Sequence, residues 1–264
     1  MSFFSANNIS AGYGGTNVLT DISFSVERGR LTGILGANGS GKTTLLKAIC
    51  GIVPHSGVCL LDGQALEALS PRALARRCGY IPQRSGITID ISALDVVLMG
   101  FNPRLGLLEQ PNSAMKTAAR QMLAQVGLAG KEETNYLHLS EGQKQLCILA
   151  RTLVGQGQLL LLDEPESALD FHFRHQMLGA IRNWLKGADR CGIVALHDPA
   201  LALNYCHRLL LLSGGRIIGS ICPETDTLEK MEQMLETIYG RVTLLRCRNR
   251  TGQEQLVMLK EGIL

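Results

Sequence analysis

Hydrophobic and polar residues alternate over residues 18–26, where Ile22, Phe24 and Val26 would share one face of a strand. Alternation with period two predicts an antiparallel strand with one buried face. Residues 30–36 are more uniformly apolar and run directly into a glycine-rich turn, which is typical of a strand buried on both faces. This part of the chain is therefore predicted to contain strands of two kinds.

Turn and helix signals follow these strands. Residues 57–66 place an Asp-Gly pair between two short apolar runs, which predicts a hairpin. Ser70 followed by Pro71 predicts the start of a helix, because a serine oxygen can cap the first turn and proline suits its first position. From about residue 92 to residue 155 the apolar spacing is helical throughout. It contains a stripe that we expect to lie in the core, formed by Met115, Ala118, Ala119, Met122, Leu123 and Val126.

Short apolar runs alternate with helical patterns after residue 158, which predicts a parallel sheet covered by helices. The helical block therefore interrupts an α/β domain. We expect one domain over residues 1–264 with three parts. Residues 1–91 and 156–220 form an α/β core that includes an antiparallel β part, residues 92–155 form a helical subdomain, and residues 221–264 form a terminal helix and hairpin.

Composition limits the classes of function. The chain has 264 residues, of which 45% are hydrophobic, and its net charge is +3, which does not suggest a nucleic-acid partner. Its eight cysteines are scattered and form no C-x-x-C pair, so we expect free thiols rather than disulfides or a metal site. The amino terminus does not resemble a signal peptide, and the apolar runs are too short to span a bilayer. We therefore expect a protein of the cytosol.

A glycine-rich turn, GANGSGKTT, follows the apolar segment 30–36 and matches the pattern G-x-x-x-x-G-K-[ST]. Backbone amides in such a turn, together with the helix that follows, bind phosphate groups. Lys42 supplies a cation for the outer phosphates, and the Thr43 hydroxyl can bind magnesium. We expect the whole turn to contact the phosphates: Gly36, Ala37, Asn38, Gly39, Ser40, Gly41, Lys42, Thr43 and Thr44.

Acidic and polar residues follow other predicted strands. Asp163 and Glu164 come directly after four leucines, so we expect Asp163 to hold magnesium through water and Glu164 to polarise an attacking water. His197 follows another apolar run and should lie at the same edge of the sheet, within reach of the γ-phosphate. Gln83 also ends an apolar segment, although by itself it could be an ordinary loop residue.

The segment HLSEGQKQLCILAR raises a question about Gly142. Ser140 is suited to cap a helix here, yet glycine in the first turn destabilises a helix relative to alanine. Either the glycine is simply tolerated, or another group must come close to the backbone at this point.

These motifs, in this order, resemble those of the nucleotide-binding ATPases of ATP-binding-cassette (ABC) transporters. The resemblance covers nearly the whole chain. It includes the Walker A loop at 36–43, the Q-loop glutamine Gln83, the signature LSEGQ at 139–143, Walker B at 159–164, the D-loop SALD at 167–170 and the switch histidine His197.

The resemblance implies an α/β fold of the P-loop NTPase (RecA-like) type, with a parallel sheet core, an N-terminal antiparallel β subdomain and an inserted α-helical subdomain. It implies ATP hydrolysis, with Lys42, Gln83, Glu164 and His197 as the catalytic residues, and Mg²⁺ bound by Thr43, Gln83 and Asp163. Tyr13 would stack on the adenine. The remaining expected contacts are with ATP held between two copies of the chain, and they involve Ser140, Gly142, Gln143 and Asp170.

The resemblance also implies partners: a second copy of the chain, integral membrane permease subunits and, indirectly, a substrate-binding protein. The chain would lie peripherally on the cytoplasmic face of the cell (inner) membrane, with Gln83 and the helical block passing motion to the permease. Residues 69–83, 91–103 and 239–240 are similar to ATPases of importers for ferric siderophores, haem and cobalamin.

Two residues depart from the family pattern. Glu141 replaces the first glycine of LSGGQ, and Glu166 replaces the small residue more usual after Asp-Glu-Pro. We expect both carboxylates to face solvent, with Lys144 partly offsetting the charge of Glu141.

Other classes of protein fit the sequence less well. An ATPase of another importer or exporter branch differs only in secondary motifs. A soluble ABC protein of translation or repair would carry a second cassette or a long coiled coil, and a GTPase would carry N-K-x-D. A module that binds ATP without hydrolysing it is disfavoured because Lys42, Asp163, Glu164 and His197 are all present.

Overall fold

The computed structural model describes residues 2–83, 86–106, 108–167, 169–187 and 189–262. The strands over these residues are β1 (Ser2–Tyr13), β2 (Thr16–Glu27), β3 (Leu31–Leu35), β4 (His55–Leu61), β5 (Gln64–Ala65), β6 (Cys78–Ile81), β7 (Leu159–Asp163), β8 (Cys191–Ala195), β9 (Arg208–Ser213), β10 (Arg216–Ile221), β11 (Val242–Arg248) and β12 (Glu254–Lys260). The α-helices are α1 (Lys42–Ile49), α2 (Pro71–Arg77), α3 (Ala93–Leu98), α4 (Ser113–Gln125), α5 (Glu141–Val154), α6 (Phe171–Leu185), α7 (Pro199–Tyr205) and α8 (Leu228–Tyr239). Short 3-10 helices cover Leu66–Ala68, Met99–Phe101 and Tyr136–His138.

The central sheet has the strand order β10-β9-β3-β8-β7-β6, and all neighbours except β9 and β10 are parallel. Every residue of β3, β7 and β8 is buried, because both faces of the sheet are covered. Leu159 and Leu161 point into one core with α1 and the antiparallel sheet, whereas Leu160 and Leu162 point into the other. The predicted α/β fold with a parallel sheet core is confirmed.

The antiparallel sheet has the order β2-β1-β4-β5. Ile22, Phe24 and Val26 of β2 are buried, as their alternation predicted. The Asp-Gly hairpin is present between β4 and β5, although β5 has only two residues. Ser70 caps α2 by accepting a hydrogen bond from the backbone N–H of Ala73.

The helical block comprises α3, α4, α5 and two of the 3-10 helices. Ala119, Leu123 and Val126 of its predicted stripe are fully buried, and the other stripe residues are partly buried and pack against the same hydrophobic core. The block shares one hydrophobic core with α6 and with residues of α8, β11 and β12. The division of the chain into three parts stays a prediction.

The C-terminal helix and hairpin occur as α8 and the pair β11–β12. Asn204 of α7 holds the hairpin through two hydrogen bonds, because its Nδ2 donates to the carbonyl of Leu256 at 2.8 Å and its Oδ1 accepts the Leu256 N–H at 2.9 Å. All eight cysteines are free thiols. Within the described ranges, no helix has the length and apolarity needed to cross a membrane.

Candidate active site

The glycine-rich turn joins the end of β3 to the start of α1. Gly41 precedes the helix with φ of 106° and provides no side-chain cap, so the first-turn amides of α1 remain available to a ligand. Gly36 has another constraint, because a Cβ there would lie 2.3 Å from the carbonyl oxygen of Leu212 and 2.5 Å from the Ser40 Oγ. The turn therefore depends on glycine both for its backbone conformation and for its close packing.

Lys42 provides a buried positive charge, since its side chain is only 5% exposed. Its Nζ donates hydrogen bonds to the carbonyls of Gly36 at 2.9 Å and Ala37 at 3.4 Å, and lies 3.3 Å from the Glu164 Oε1. A buried charge is retained where it is paired and hydrogen-bonded, as Lys42 is here. The contact with Glu164 joins the turn to the end of β7.

Asp163 is the last residue of β7 and lies beside the turn. Its Oδ1 accepts a hydrogen bond from the Thr43 hydroxyl at 2.9 Å, and its Oδ2 accepts one from the Tyr80 hydroxyl at 3.3 Å. Burial raises the pKa of Asp163, and the bonds from Thr43 and Tyr80 oppose that shift. A hydroxyl and a carboxylate side by side are the oxygen ligands that Mg²⁺ prefers, so this pair fits the ion. Tyr80 was not predicted from the sequence.

Gln83 and Glu164 are also joined, because the Gln83 Nε2 donates to the Glu164 Oε2 at 3.1 Å. The carbonyl of Gln83 accepts a hydrogen bond from the Gln145 Nε2 of α5 at 3.3 Å, which ties the same residue to the helical block. Glu164 has φ of 45°, in the left-handed region that a non-glycine residue seldom adopts. Together with Asn38 and His197, these two side chains line a cleft of about 540 Å³.

Glu166 corrects an expectation drawn from the sequence. Its side chain does not face solvent; it is only 2% exposed, and its Oε1 accepts the backbone N–H of His197 at 2.8 Å. Burial raises the pKa of Glu166, as does the charge of Glu164, while the hydrogen bond from His197 and the charge of Arg174 lower it. The sequence did not reveal this because an isolated acid is normally predicted to be solvated.

Glu141 behaves as expected. Its side chain is 73% exposed, and its Oε1 accepts a hydrogen bond from the Lys144 Nζ at 2.8 Å. The negative charge of Glu141 is thus exposed to solvent and paired with Lys144.

A family model described as ABC transporter matches residues 19–167. This chain belongs to the ABC transporter family. With the complete phosphate-binding turn and both acids at the end of β7, it is an ATPase of that family. ATP binding is therefore a property of the chain, and the P-loop NTPase fold predicted from the resemblance is confirmed.

Relatives of this ABC ATPase carry names that refer to import. The hemin import ATP-binding protein HmuV of Pseudomonas fluorescens is 37% identical over 261 residues, 96% of this chain and 98% of that protein. HmuV of Vibrio parahaemolyticus is 35% identical over 241 residues, 89% of this chain and 90% of that protein. A solved structure, an inward-facing metal-chelate type ABC transporter, matches with a TM-score of 0.82 at 23% identity and covers all of both chains. At that identity the solved structure shows the fold alone.

The signature segment of the ABC ATPase starts α5. Ser140 and Gln143 form a capping box, in which the Ser140 Oγ accepts the Gln143 N–H at 3.3 Å and the Gln143 Oε1 accepts the Ser140 N–H at 3.1 Å. A Cβ on Gly142 would lie 2.5 Å from Cδ2 of Phe173 in α6. An aromatic ring of the same chain therefore occupies the open side of this glycine. Approach of a second chain's nucleotide to Gly142 stays a prediction.

The remaining predicted contacts lie around the turn and at α6. Ser40 and Thr44 are buried, whereas Ala37, Asn38 and Gly39 are exposed. Tyr13 ends β1 and is 52% exposed. Asp170 caps α6 by accepting the Phe173 N–H at 2.9 Å, and Ala168 of the predicted D-loop lies outside the described residues. The adenine contact of Tyr13 and the interface role of Asp170 stay predictions.

Proposed function

We propose that this chain is the ATP-hydrolysing motor subunit of an importer for a metal chelate of the haem, cobalamin or ferric siderophore type. The observation that carries the motor assignment is the meeting of Lys42, Thr43, Asp163 and Glu164 at one edge of the central sheet. Support for the cargo class comes from relatives named for hemin and cobalamin import, which are 34–37% identical to this chain. Siderophore transport rests on the resemblance of the secondary motifs.

Each side chain of the site would have a separate role in ATP hydrolysis. The turn and Lys42 would bind the phosphates, and Glu164 would accept a hydrogen bond from the attacking water while Gln83 orients its carboxylate. His197, which lines the same cleft, would contact the γ-phosphate. Mg²⁺, bound through Thr43, Asp163 and Gln83, would neutralise the charge of the phosphate oxygens.

The assembly we propose contains two copies of the chain. The capped start of α5, with Ser140, Gly142 and Gln143, would complete the ATP site of the other copy, because a helix N-terminus favours an anionic ligand. ATP then stabilises the closed pair, and removal of the γ-phosphate releases it. Permease subunits would receive this motion at the cytoplasmic face of the membrane, with a substrate-binding protein delivering the cargo.

Replacement of Glu164 tests the motor assignment. We expect Glu164→Gln to lower kcat for ATP hydrolysis by at least ~10²-fold, because an amide cannot take a proton from water. Affinity for ATP should be retained, and size-exclusion chromatography with light scattering should show an ATP-dependent dimer. Glu133→Gln is the matched control, since the side chain of Glu133 is 79% exposed. Unchanged ATPase activity in Glu164→Gln, or no activity in the wild type, would refute the assignment.

Cargo is tested with the complete transporter. The permease is captured by pull-down with tagged chain, reconstituted in liposomes with it, and supplied with hemin, cobalamin or a ferric siderophore in turn. We expect ATP-dependent uptake of one of these chelates by the wild type and none with Glu164→Gln. Transport of a different class of solute would contradict the cargo proposal and leave the motor assignment in place.

A further inference from the structure

The turn after β7 contains a buried carboxyl group that the scheme above does not use. Glu166 is 2% exposed, and its Oε2 has no hydrogen-bond partner among the residues that the structure describes. An unpaired buried carboxyl oxygen is destabilising, and such groups in a folded protein call for a physical explanation. The other carboxyl oxygen, Oε1, accepts a hydrogen bond from the backbone N–H of His197.

That hydrogen bond lies where the pairing of β7 with β8 ends. The last backbone pair of the two strands is Asp163 with Ala195, and the N–H of Glu164 still donates to the Ala195 carbonyl at 3.1 Å. The next residue of the β8 side, Leu196, faces β3 as the alternation along a sheet strand requires, and its N–H donates to the Ile34 carbonyl at 3.2 Å. The next N–H, that of His197, is bound by the Glu166 carboxyl at 2.8 Å. The side chain therefore extends the pairing of the two strands beyond their backbones.

The contact also fixes where His197 begins to diverge from the sheet. Asp198 follows immediately and caps α7 by accepting the N–H groups of Ala200 and Leu201 at 2.8 and 3.3 Å. Three successive residues are therefore fixed by hydrogen bonds: Leu196 to β3, His197 to the Glu166 carboxyl, and Asp198 to the first turn of α7. His197 and Glu166 line the same cleft as Glu164.

We propose that Glu166 is a positioning residue for His197: its Oε1 binds the His197 N–H and so fixes the imidazole relative to Glu164 and the phosphate-binding turn. The proposal rests on the proposed function, because the imidazole matters only if it meets a phosphate. The contact requires an oxygen acceptor at the end of a side chain as long as that of glutamate. A shorter side chain at position 166 would not extend to the His197 N–H. The negative charge is secondary.

The first test compares Glu166→Ala with Glu166→Gln. Alanine removes the acceptor, and a displacement of about 1 Å in a catalytic group lowers rates by up to ~10²-fold, so we expect kcat to fall by ~10- to 100-fold. KM for ATP should stay within about twofold, because the turn that binds the phosphates is unchanged. Glutamine keeps an oxygen at the same reach and should restore kcat to within about threefold of the wild type. Equal loss in both variants, or no loss in Glu166→Ala, overturns the proposal.

A double-mutant cycle with His197→Ala separates positioning from a general structural effect. If Glu166 acts through His197, adding Glu166→Ala to His197→Ala should change kcat by less than about twofold. Full additivity of the two losses overturns the proposal. Should Glu166→Ala fail to fold, Glu166→Asp takes its place in the cycle, since it shortens the side chain by one methylene and keeps the charge. Glu133→Ala is the control for an exposed acid.

Hydrogen–deuterium exchange tests the contact without any ATPase measurement. The amide of His197 should exchange at least ~10-fold faster in Glu166→Ala than in the wild type or Glu166→Gln, because one hydrogen bond is lost. Unchanged protection overturns the proposal while hydrolysis by the wild type keeps the motor assignment. Absence of ATPase activity in the wild type overturns the motor assignment and, with it, the role of Glu166 in hydrolysis.

Discussion

Substitution of Gly142 by alanine tests whether the ring of Phe173 requires this glycine. The added Cβ would lie 2.5, 2.8 and 2.9 Å from Cδ2, Cγ and Cε2 of Phe173. Carbon atoms in contact normally stay about 3.5–4.0 Å apart, so the ring must retreat by roughly 1 Å. The clash involves three ring atoms and not the tip of a flexible chain.

The expected loss of stability follows from two opposing contributions. Overpacking of this kind costs about 1–3 kcal/mol, whereas replacing glycine with alanine in a helix gains about 0.5–1 kcal/mol. The midpoints of these two ranges differ by about 1 kcal/mol, so we expect Gly142→Ala to lower the free energy of unfolding by about that amount. In a chain of this size that corresponds to a fall in Tm of about 2–4 °C.

Urea denaturation of the wild type and of two variants measures this effect. Gly179→Ala is the matched control, because Gly179 lies within α6. Apart from its two neighbours and its own helix backbone, no atom of the described residues lies within 4 Å of the position its Cβ would take. The control should be as stable as the wild type or more stable. A Gly142→Ala variant as stable as the wild type would refute the packing explanation.

A second variant at Phe173 separates two roles of Gly142, which are packing within the chain and contact with a second copy. In the background Phe173→Leu, Gly142→Ala should lose less stability than in the wild type, because the planar ring is gone. The ATPase activity of that double variant then tests whether Gly142 also contacts the nucleotide bound to a second copy of the chain. Recovered stability without recovered activity would show that Gly142 also serves the interface between two copies.

Two further predictions concern charged and titratable groups. Glu141→Gly should change the ATPase rate by less than about fivefold, because an exposed ion pair contributes at most ~1 kcal/mol; a large gain in ATP affinity, measured by titration with a fluorescent nucleotide, would contradict this. Burial lowers the pKa of His207, whose Nδ1 accepts the Leu31 N–H at 3.0 Å, so the fold favours the neutral ring and the wild type should lose stability as pH falls below about 6.5. His207→Asn should lose less Tm between about pH 7.5 and 5.5 than the wild type or the exposed control His138→Asn, and an equal loss would contradict the assignment.

Elements whose side chains follow a simple period could be predicted from the sequence. The four leucines of β7 and the alternation in β2 each indicated their environment, because burial on two faces or on one leaves a distinct pattern. The strand β1 was not predicted from the sequence. Its register against β2 shifts between Ala6 and Ile9, and Asn8 has φ of 53°, so the pleat is interrupted and the alternation is lost.

The candidate site shows a similar division. The turn at 36–44 and the acids after β7 could be predicted because their spacing along the chain is short and specific. Tyr80, Gln145 and Glu166 could not, since each acts through a contact with a residue from another part of the fold. For Glu166 the sequence even favoured the wrong environment, because the His197 amide that compensates its burial is supplied by a different strand end.

Gln83 is anchored at both ends, by its amide to the carboxylate of Glu164 and by its carbonyl to Gln145 of α5. The bond from Gln83 to Glu164 measures 3.1 Å, within the ordinary range for N–H···O, whereas the bond from Gln145 to Gln83 measures 3.3 Å, slightly beyond that range. The bond to the charged acceptor is the stronger, so a drift of α5 away from β7 severs the Gln145 bond first. A small displacement of the helical block would therefore break the Gln145 bond and leave Glu164 in place. Only a displacement that also moves the backbone of Gln83 would shift Glu164.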